Sequence, residues 1–225
     1  VNASITIEAL TDAQLVEAYP NAGCGEAASL EVGYGGDYTP SAQAMQVLVK
    51  FNLAALPPNA TIQSAELRLF LIGAYDYDTP RQFTVYRVTS PWTEHSVNWS
   101  HSPGFGEPYG SAWVPFDAGI WQAFDVTGLV SGWYTGSFYD YGLAVRGLET
   151  VIHSRSFAPL PYVEAPVLFV NYTTPGLVVD PGDPAGDGQA FLPLVVRDFI
   201  IPTPSRTPPS AGTTPTKTPT ALVEK

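Results

Sequence analysis

The chain is poor in cysteine, in charge and in basic residues, and each shortage excludes a class of protein. Cys24 is the only cysteine among 225 residues, so neither an intramolecular disulfide nor a zinc site built on several cysteines can form. Lysine and arginine number 10 against 21 aspartate and glutamate, and this net charge of -11 excludes a nucleic-acid partner. Cys24 is either a small buried or loop residue or an intermolecular bridge between copies.

Long hydrophobic runs are also missing. No apolar run reaches the ~20 residues that a membrane-spanning helix needs, so we expect no transmembrane segment. The chain begins with Val1 and not with Met, which fits an exported product without its signal peptide, and we expect an extracellular or cell-surface location. Four sequons, at Asn2, Asn59, Asn98 and Asn171, are candidate glycosylation sites if the host glycosylates exported proteins.

Groups that could carry out a reaction are scarce. The only histidines are His95, His101 and His153, and none has a recognisable carboxylate partner. His95 and His101 share one predicted loop, at a spacing that is compatible with a metal site but not diagnostic of one. Ser154 beside Arg155 lacks the glycine pattern of a nucleophile elbow. We predict no catalytic residues, no cofactor and a protein that is not an enzyme, although carboxylates distant in sequence can still meet in space.

The strongest pattern that is present is hydrophobic alternation within residues 47–71. Apolar residues occupy every second position of residues 47–53 and again of residues 65–71, which is the period of a strand with one buried face. Pro57, Pro58 and Asn59 lie between the two segments and favour a turn. The pattern predicts two core strands.

The remaining elements are short and separated by turn residues. Further strands are predicted at residues 4–8, 15–19, 29–32, 83–88, 141–146 and 167–172, of which the first three are weak and suggest edge positions. Residues 128–134 carry apolar i,i+4 pairs with Asp125 or Thr127 as cap, which predicts one short helix. Residues 153–156 are predicted as a loop. These features predict an all-β fold, an antiparallel β-sandwich of jelly-roll type with one short helix and an outlying C-terminal strand.

Five segments resemble, in order, parts of one known domain. They are KFNLAALPPNATIQSAELRLFL, VYRVTSPWTEHSVNW, FDVTGLVSGW, YGLAVRG and APVLFVNYT. Together they are similar to the DNRLRE-type domain, a secreted β-sandwich related to carbohydrate-binding modules. The resemblance implies the sandwich fold, implies sugar binding through that kinship, and implies that Trp92 and Trp99 pack on an end of the sandwich. Its motifs are core strands and turns, so it identifies no reaction site.

Aromatic residues are the candidates for sugar binding, because aromatic faces and flanking polar groups hold sugars. The candidates are Tyr34, Tyr38, Tyr75, Tyr77, Tyr109 and Trp113, and the alternative is that most of them cap the ends of the core. Asp76 and Asp78 lie in a turn-rich connection, where they are either weak candidates for a calcium site or simply solvated.

Composition divides the chain into four parts. Residues 1–174 form the predicted sandwich, residues 175–189 a linker rich in Pro, Gly and Asp, residues 190–201 an apolar strand, and residues 202–225 a Pro/Thr-rich tail. The apolar strand has bulky groups on both faces: Phe191, Leu192, Leu194, Val195, Val196, Phe199, Ile200 and Ile201. Because such a strand aggregates in water, it either docks on its own domain or completes the sheet of a neighbour. A third alternative is that it is a short signal for sorting or anchoring.

Two functions from different classes follow from these features. We predict a non-catalytic extracellular structural protein that self-assembles head-to-tail into a filament or matrix by donating residues 190–201. The alternative is a secreted carbohydrate-binding module that acts in adhesion or polysaccharide targeting. The partner is another copy of the chain in the first case and a polysaccharide in the second.

Overall fold

The structure is a computed structural model, and it describes residues 1–23, 25, 27–35, 43–75, 79–149 and 151–175. Cys24, the linker after Pro175, the apolar strand and the Pro/Thr-rich tail lie outside the described residues. So do four candidate site residues, Tyr38, Asp76, Tyr77 and Asp78. What the sequence predicts for these segments therefore stays a prediction.

Ten strands and one α-helix make up the described part of the chain. In chain order they are β1 (Asn2–Val16), β2 (Leu30–Tyr34), β3 (Ala44–Phe51), β4 (Thr61–Tyr75), β5 (Arg81–Val88), β6 (Phe105–Val114), β7 (Ile120–Asp125), α1 (Thr127–Tyr134), β8 (Leu143–Gly147), β9 (His153–Phe157) and β10 (Val167–Thr173). Two short 3-10 helices lie at Leu53–Ala55 and Trp99–His101. The strand pairs are antiparallel, so the predicted all-β fold with one short helix is confirmed.

The strands are joined in the order β1-β10-β4-β9-β2-β3-β8-β5-β6, with β7 beside β4 and a further pairing of β1 with β3. β1 links the two layers of the sandwich, because residues 2–8 pair with β10 and residues 9–16 pair with β3. The register shifts between Ala9 and Thr11, and a shift of this kind bends a strand. The sequence predicted two weak edge strands here; Thr11, Asp12 and Gln14 interrupt the alternation that would have revealed one long strand.

The main core lies between the layers, and the alternation within residues 47–71 correctly identified its centre. Val47 and Val49 of β3 and Leu67, Leu69 and Leu71 of β4 are completely buried there. Helix α1 adds Leu129 and Val130 to this core. Just before the helix, Asp125 Oδ1 accepts hydrogen bonds from the Thr127 amide at 2.9 Å and from the Thr127 hydroxyl at 2.6 Å.

Strand β3 is buried on both faces, although the sequence predicted one solvent-facing side. Leu48, opposite Val47, packs into a second apolar cluster with Ala13, Leu15, Val88, Trp92, Val97 and Ala144. The chain between β5 and β6 provides Trp92, whose Nε1 donates to the Tyr141 carbonyl at 2.7 Å and whose ring centre is 4.1 Å from Lys50 Nζ. Trp92 and Trp99 therefore cover the outer face of one layer and not an end of the sandwich.

Residues 153–156 belong to β9, so the loop predicted for them is wrong. Arg155 is completely buried and donates from Nε to the Pro115 carbonyl at 2.7 Å, from Nη1 to the Ser154 carbonyl at 2.8 Å and from Nη2 to the Thr79 carbonyl at 2.7 Å. Backbone carbonyls thus satisfy a charged side chain inside the protein. The polar residues of this segment do not indicate a buried strand in the sequence. Burial of Arg155 depends on the carbonyls of Pro115 and Thr79, which only the folded chain brings to it.

Candidate functional site

A groove crosses the outer face of the layer formed by β1, β10, β4 and β7. It has a volume of about 490 Å³ and is lined by Thr6, Glu66, Arg68, Trp121, Ala123, Val163 and Val167. We name it the Trp121 groove. Strand register places Val167, Arg68 and Ala123 side by side on β10, β4 and β7. Four strands spaced about 4.8 Å apart give a floor about 14 Å across, and the volume is within the range of known ligand sites.

A fixed pair of opposite charges forms part of the groove. Arg68 donates to Glu66 Oε2 from Nη2 at 2.7 Å and from Nε at 3.0 Å. The guanidinium carbon also lies 4.2 Å from the centre of the Phe169 ring. Both charged side chains remain partly exposed. The groove therefore offers hydrogen-bond donors and acceptors whose positions are set before a ligand arrives, which reduces the entropy that binding would cost.

Trp121 supplies an exposed aromatic surface in the same groove. Its side chain is 45% exposed, and its ring makes an edge contact with Phe70 of β4, with 5.3 Å between ring centres. Val163, in the segment between β9 and β10, is also exposed and lines the groove. An indole that is held by a neighbouring ring but still open to solvent is suited to stacking on the apolar face of a sugar ring.

The charge around the groove is negative. Glu8 on β1, Glu66 on β4 and Asp125 on β7 are on the same face as Arg68. Hydrogen bonds from the hydroxyl and the amide of Thr127 lower the pKa of Asp125, so this carboxylate is ionised at neutral pH. Three carboxylates against one guanidinium leave an excess of two negative charges.

A second cavity, of about 540 Å³, lies where the chain after α1 meets the end of β5. Its lining residues are Arg87, Thr89, Trp133, Gly136, Ser137, Phe138, Tyr139, Asp140 and Tyr141. We name it the Tyr139 cavity. Tyr139 is 78% exposed, and its ring centre is 5.8 Å from that of Tyr141. The Arg87 guanidinium carbon lies 4.7 Å from the centre of the Phe138 ring.

Asp140 gives the Tyr139 cavity an acidic group. Its Oδ1 accepts a hydrogen bond from the Gly142 amide at 2.9 Å. Burial raises the pKa of Asp140, while the Gly142 hydrogen bond and the charge of Lys50 oppose that rise. Burial in turn lowers the pKa of Lys50. The cavity thus combines a cation, a carboxylate and exposed aromatic rings.

The sugar-binding candidates chosen from the sequence lie elsewhere. Tyr34 and Tyr75 are near each other at one end of the sandwich, because they pair with His153 and Ser154 of β9. Trp113 on β6 is 66% exposed, whereas Tyr109 is half-buried with its ring centre 6.1 Å from that of Phe138. None of these four lines the Trp121 groove or the Tyr139 cavity. Tyr38 and Tyr77 lie outside the described residues.

Sequence reasoning missed the residues that form the two concave sites. Glu66 and Arg68 were recognised only as the polar side of a strand. Trp121 offered a usable signal, since it shares the outward side of β7 with Asp125 while Phe124 points into the core. A tryptophan on the polar side of a short strand is a candidate for ligand contact. Arg87 and Tyr139 gave no comparable signal, because they are distant in sequence.

The four sequons differ in their surroundings. Asn2 and Asn59 are exposed, whereas Asn98 Oδ1 accepts from the His101 amide at 2.9 Å and Asn171 Nδ2 donates to Ser64 Oγ at 2.8 Å. A glycan on Asn171 would replace a hydrogen of the Nδ2 that donates to Ser64, whereas a glycan on Nδ2 of Asn98 would leave the accepting Oδ1 in place.

Two further properties concern metals and membranes. Across the described residues, no three His, Cys, Asp or Glu side chains are grouped as metal ligands would be. No helix in the described part of the chain is long and apolar enough to cross a bilayer. The calcium prediction concerned Asp76 and Asp78, which lie outside the described residues.

Comparison with models of known protein families shows the family to which the domain belongs. The sequence model of carbohydrate-binding module family 96 matches residues 3–171, which is most of the chain and nearly all of the sandwich. The chain therefore belongs to carbohydrate-binding module family 96. No curated protein matches the chain. The predicted relationship to carbohydrate-binding modules is confirmed.

Proposed function

We propose that this domain is a non-catalytic, extracellular module that binds a neutral polysaccharide in the Trp121 groove. Membership of a carbohydrate-binding family supports the ligand class. The observation that carries the choice of surface is an exposed tryptophan beside a fixed Glu66–Arg68 pair on a sheet face that no described segment covers.

A sugar ring has an apolar C–H face and polar hydroxyl groups, and the groove offers contacts for both. The indole of Trp121 stacks on the C–H face of the ring, and this contact removes apolar surface of both partners from water. Glu66 accepts hydrogen bonds from sugar hydroxyls, while Arg68 donates to their oxygens. The Thr6 hydroxyl, which can do both, lies in the same groove. Since few groups make contact, we expect weak affinity.

Charge favours a neutral chain over a polyanion. The excess of two negative charges beside the groove is part of a net charge of -11 for the whole chain. A polyanionic polysaccharide would be repelled on approach, most strongly at low ionic strength where screening is weak. Neutral hydroxyl-rich chains meet no such barrier.

The test is binding to a panel of soluble neutral polysaccharides by affinity electrophoresis and titration calorimetry. Trp121→Ala should weaken binding about tenfold or more, which corresponds to about 1.4 kcal/mol. Trp113→Ala is the matched control, because it removes an indole that is exposed to a greater degree on another strand. Polygalacturonate and dextran sulfate should not bind at low salt.

Two results would contradict the proposal. One is the absence of binding to every neutral polysaccharide of the panel. The other is a loss of binding with Trp113→Ala and none with Trp121→Ala, which would favour the candidates chosen from the sequence. Self-assembly by donation of residues 190–201 remains a separate prediction, because that segment lies outside the described residues.

A further inference from the structure

One wall of the Trp121 groove belongs to a loop and not to a strand. Residues 158–166 connect β9 to β10, and we name them the wall loop. Val163 of this loop lines the groove and is 96% exposed, so its side chain contacts almost nothing else in the described part of the protein. A ligand in the groove meets Val163 only while the wall loop keeps its position.

Few hydrogen bonds join the wall loop to the rest of the described protein. At its two ends the loop is held by backbone hydrogen bonds of 3.0 and 2.9 Å, which are those of the Ala158 amide to the Phe70 carbonyl and of the Ala9 amide to the Pro166 carbonyl. Between these ends, the one bond to another described residue is that of the Leu160 amide, which donates to Asp12 Oδ2 at 2.7 Å. The Leu160 side chain also packs against the main core. Asp12 is thus the side chain that holds the middle of the wall loop.

The carboxyl group of Asp12 is buried among groups that do not compensate a negative charge. Asp12 is 3% exposed and pairs in register with Val49 of β3, which belongs to the main core. The charge that acts on it comes from Glu94, between β5 and β6, and Glu94 Oε2 accepts from the Thr11 hydroxyl at 2.6 Å. β3 thus places an apolar residue opposite Asp12, the wall loop adds the Leu160 amide, and the nearby charge is of the same sign.

The protonation state of Asp12 is therefore linked to the position of the wall loop. Burial raises the pKa of Asp12 to about 6, the Leu160 hydrogen bond opposes the rise, and the charge of Glu94 adds to it. An ionised Asp12 is better solvated when the loop moves away and water reaches the carboxylate. The loop is held most firmly below pH 3.8, and this advantage is lost as pH rises through about 6.

We propose that Asp12 is a positioning residue for the Trp121 groove, which holds the wall loop in place through Leu160 and releases it more easily once its proton is lost. The first half of the proposal concerns the loop alone. The second half, the coupling to ligand binding, rests on the proposed function of the groove. If the ligand contacts Val163, then ligand binding and protonation of Asp12 favour the same closed position of the loop, and each promotes the other.

Amide hydrogen exchange of the full chain, followed by ¹H–¹⁵N NMR, tests the first half without any ligand. The measured quantity is the protection factor of the Leu160 amide, which is corrected for the intrinsic effect of pH on exchange. Between pH 5 and pH 7.5 it should fall about tenfold, which is the change that linkage requires for pKa values of 3.8 and about 6. The amide of Val47, in the main core, should have a higher protection factor at both pH values, because the loop opens locally.

Two variants separate a positioning role from a merely structural one. Asp12→Asn cannot ionise and keeps an oxygen that can accept from Leu160, so its Leu160 protection factor should change by less than about twofold between the two pH values. Asp12→Ala removes the acceptor, and its Leu160 protection factor at pH 5 should be lower than that of the parent by about tenfold. A structural role alone would give the parent and Asp12→Asn the same pH profile.

Oligosaccharides test the second half. The probes are cellohexaose, xylohexaose, mannohexaose and laminarihexaose, and the indole N–H signal of Trp121, assigned with Trp121→Phe, reports that the groove is occupied. With a probe that shifts this signal, the Leu160 protection factor of the parent should rise by about elevenfold at a probe concentration ten times the dissociation constant.

Each contrary outcome overturns a stated part. Leu160 protection that is independent of pH in the parent, or a pH dependence that Asp12→Asn retains, overturns the positioning role of Asp12. Equal protection of Leu160 and Val47 does the same, since the loop would then open only with the whole domain. A Trp121 shift without a rise in Leu160 protection overturns the coupling alone. If no probe shifts Trp121, the proposed function and the coupling both fail, and the pH dependence of exchange still decides whether Asp12 holds the loop.

Discussion

The outer faces of the two layers differ in whether the chain covers them. On the face of β3 and β8, the segment between β5 and β6 packs Trp92 and Val97 against Leu48 and Ala144. On the face of β4 and β7, no described segment covers Trp121, which remains 45% exposed. One side of the sandwich thus has a second core, and the other has an open groove.

This difference shows that residue type does not decide the role of a tryptophan. Trp92 is buried, donates a hydrogen bond from its indole and packs under Lys50, all of which support the fold. Trp121 makes an edge contact with Phe70 and remains 45% exposed. The same side chain stabilises one face and is available to a ligand on the other, because a long connection covers only the first.

The largest expected effect separates these two tryptophans. Trp92→Ala should lower the free energy of unfolding by about 3–5 kcal/mol, because it opens a cavity in the second cluster and removes a buried hydrogen bond. Trp121→Ala should change it by about 0.5 kcal/mol or less, as is usual for an exposed position. Urea denaturation followed by circular dichroism measures both values.

For the same two variants, we expect the loss of carbohydrate binding to be in the reverse order of the loss of stability. At temperatures where both variants are folded, Trp92→Ala should retain binding and Trp121→Ala should lose it. Equal losses of stability for the two variants would show that the two faces are not different in the way described.

The main core could be predicted from sequence because local pattern and final burial agree there. The alternating apolar residues of β3 and β4 and the apolar pairs of α1 all contribute to the main core in the structure. Arg155 and Leu48 show where this agreement ends. Two of the three carbonyls that bind Arg155 lie 40 and 76 residues away in the sequence. The cluster that buries Leu48 includes Trp92 and Val97 from a connection with no strand pattern.

The candidate sites were harder to predict for the same reason. The Trp121 groove depends on the register of β10, β4 and β7, which places Val167, Arg68 and Ala123 next to one another. The Tyr139 cavity joins Arg87 to residues that follow α1. Single aromatic residues in loops can be seen in a sequence, but neighbours across strands cannot be seen without the pairing.

Strand β1 also buries a titratable group, Asp12, which pairs in register with Val49 of the main core. Asp12 on β1 is 3% exposed, and its Oδ2 accepts from the Leu160 amide at 2.7 Å. Burial raises its pKa to about 6, the charge of Glu94 adds to the rise, and the Leu160 hydrogen bond opposes it. The folded state therefore favours the protonated form.

The effect of Asp12 on stability has a definite sign. Its contribution is fully present below the unfolded pKa of 3.8 and is lost as pH rises through about 6. Asp12→Asn cannot ionise and keeps an acceptor oxygen for Leu160. We expect this variant to match the parent at pH 4 and to exceed it by about 2–3 kcal/mol at pH 8. Urea denaturation at both pH values measures the difference.

Asp125, beside the open groove, serves as a control of opposite sign. Hydrogen bonds from Thr127 lower the pKa of Asp125, so its contribution is present above the unfolded pKa and lost as pH falls. Asp125→Asn should therefore be less stable than the parent at pH 7, with the difference disappearing in acid. If Asp12→Asn behaved in the same way as Asp125→Asn, the burial argument for Asp12 would be wrong.

The smallest effect on stability is expected from ending the chain after Thr174. The core clusters lie within the residues that remain, and the two backbone hydrogen bonds between Val1 and Thr174, at 2.6 and 3.0 Å, can still form. The free energy of unfolding should change by about 0.5 kcal/mol or less. Polysaccharide binding should also persist, because the Trp121 groove lies within the residues that remain. The truncated protein should thus keep the covered and the open face as they are.

Self-assembly should be the one property that truncation removes. Residues 190–201 are apolar on both faces, and burying them would take several hundred Å² from water, worth roughly 10 kcal/mol before ordering costs. A copy that both donates and receives this strand makes a head-to-tail contact that does not close on itself, so the full chain should form open polymers. Light scattering and electron microscopy should show polymers of the full chain and monomers of the truncated one. A full chain that stays monomeric at high concentration, with residues 190–201 protected from hydrogen exchange, would contradict strand donation and indicate docking within one copy.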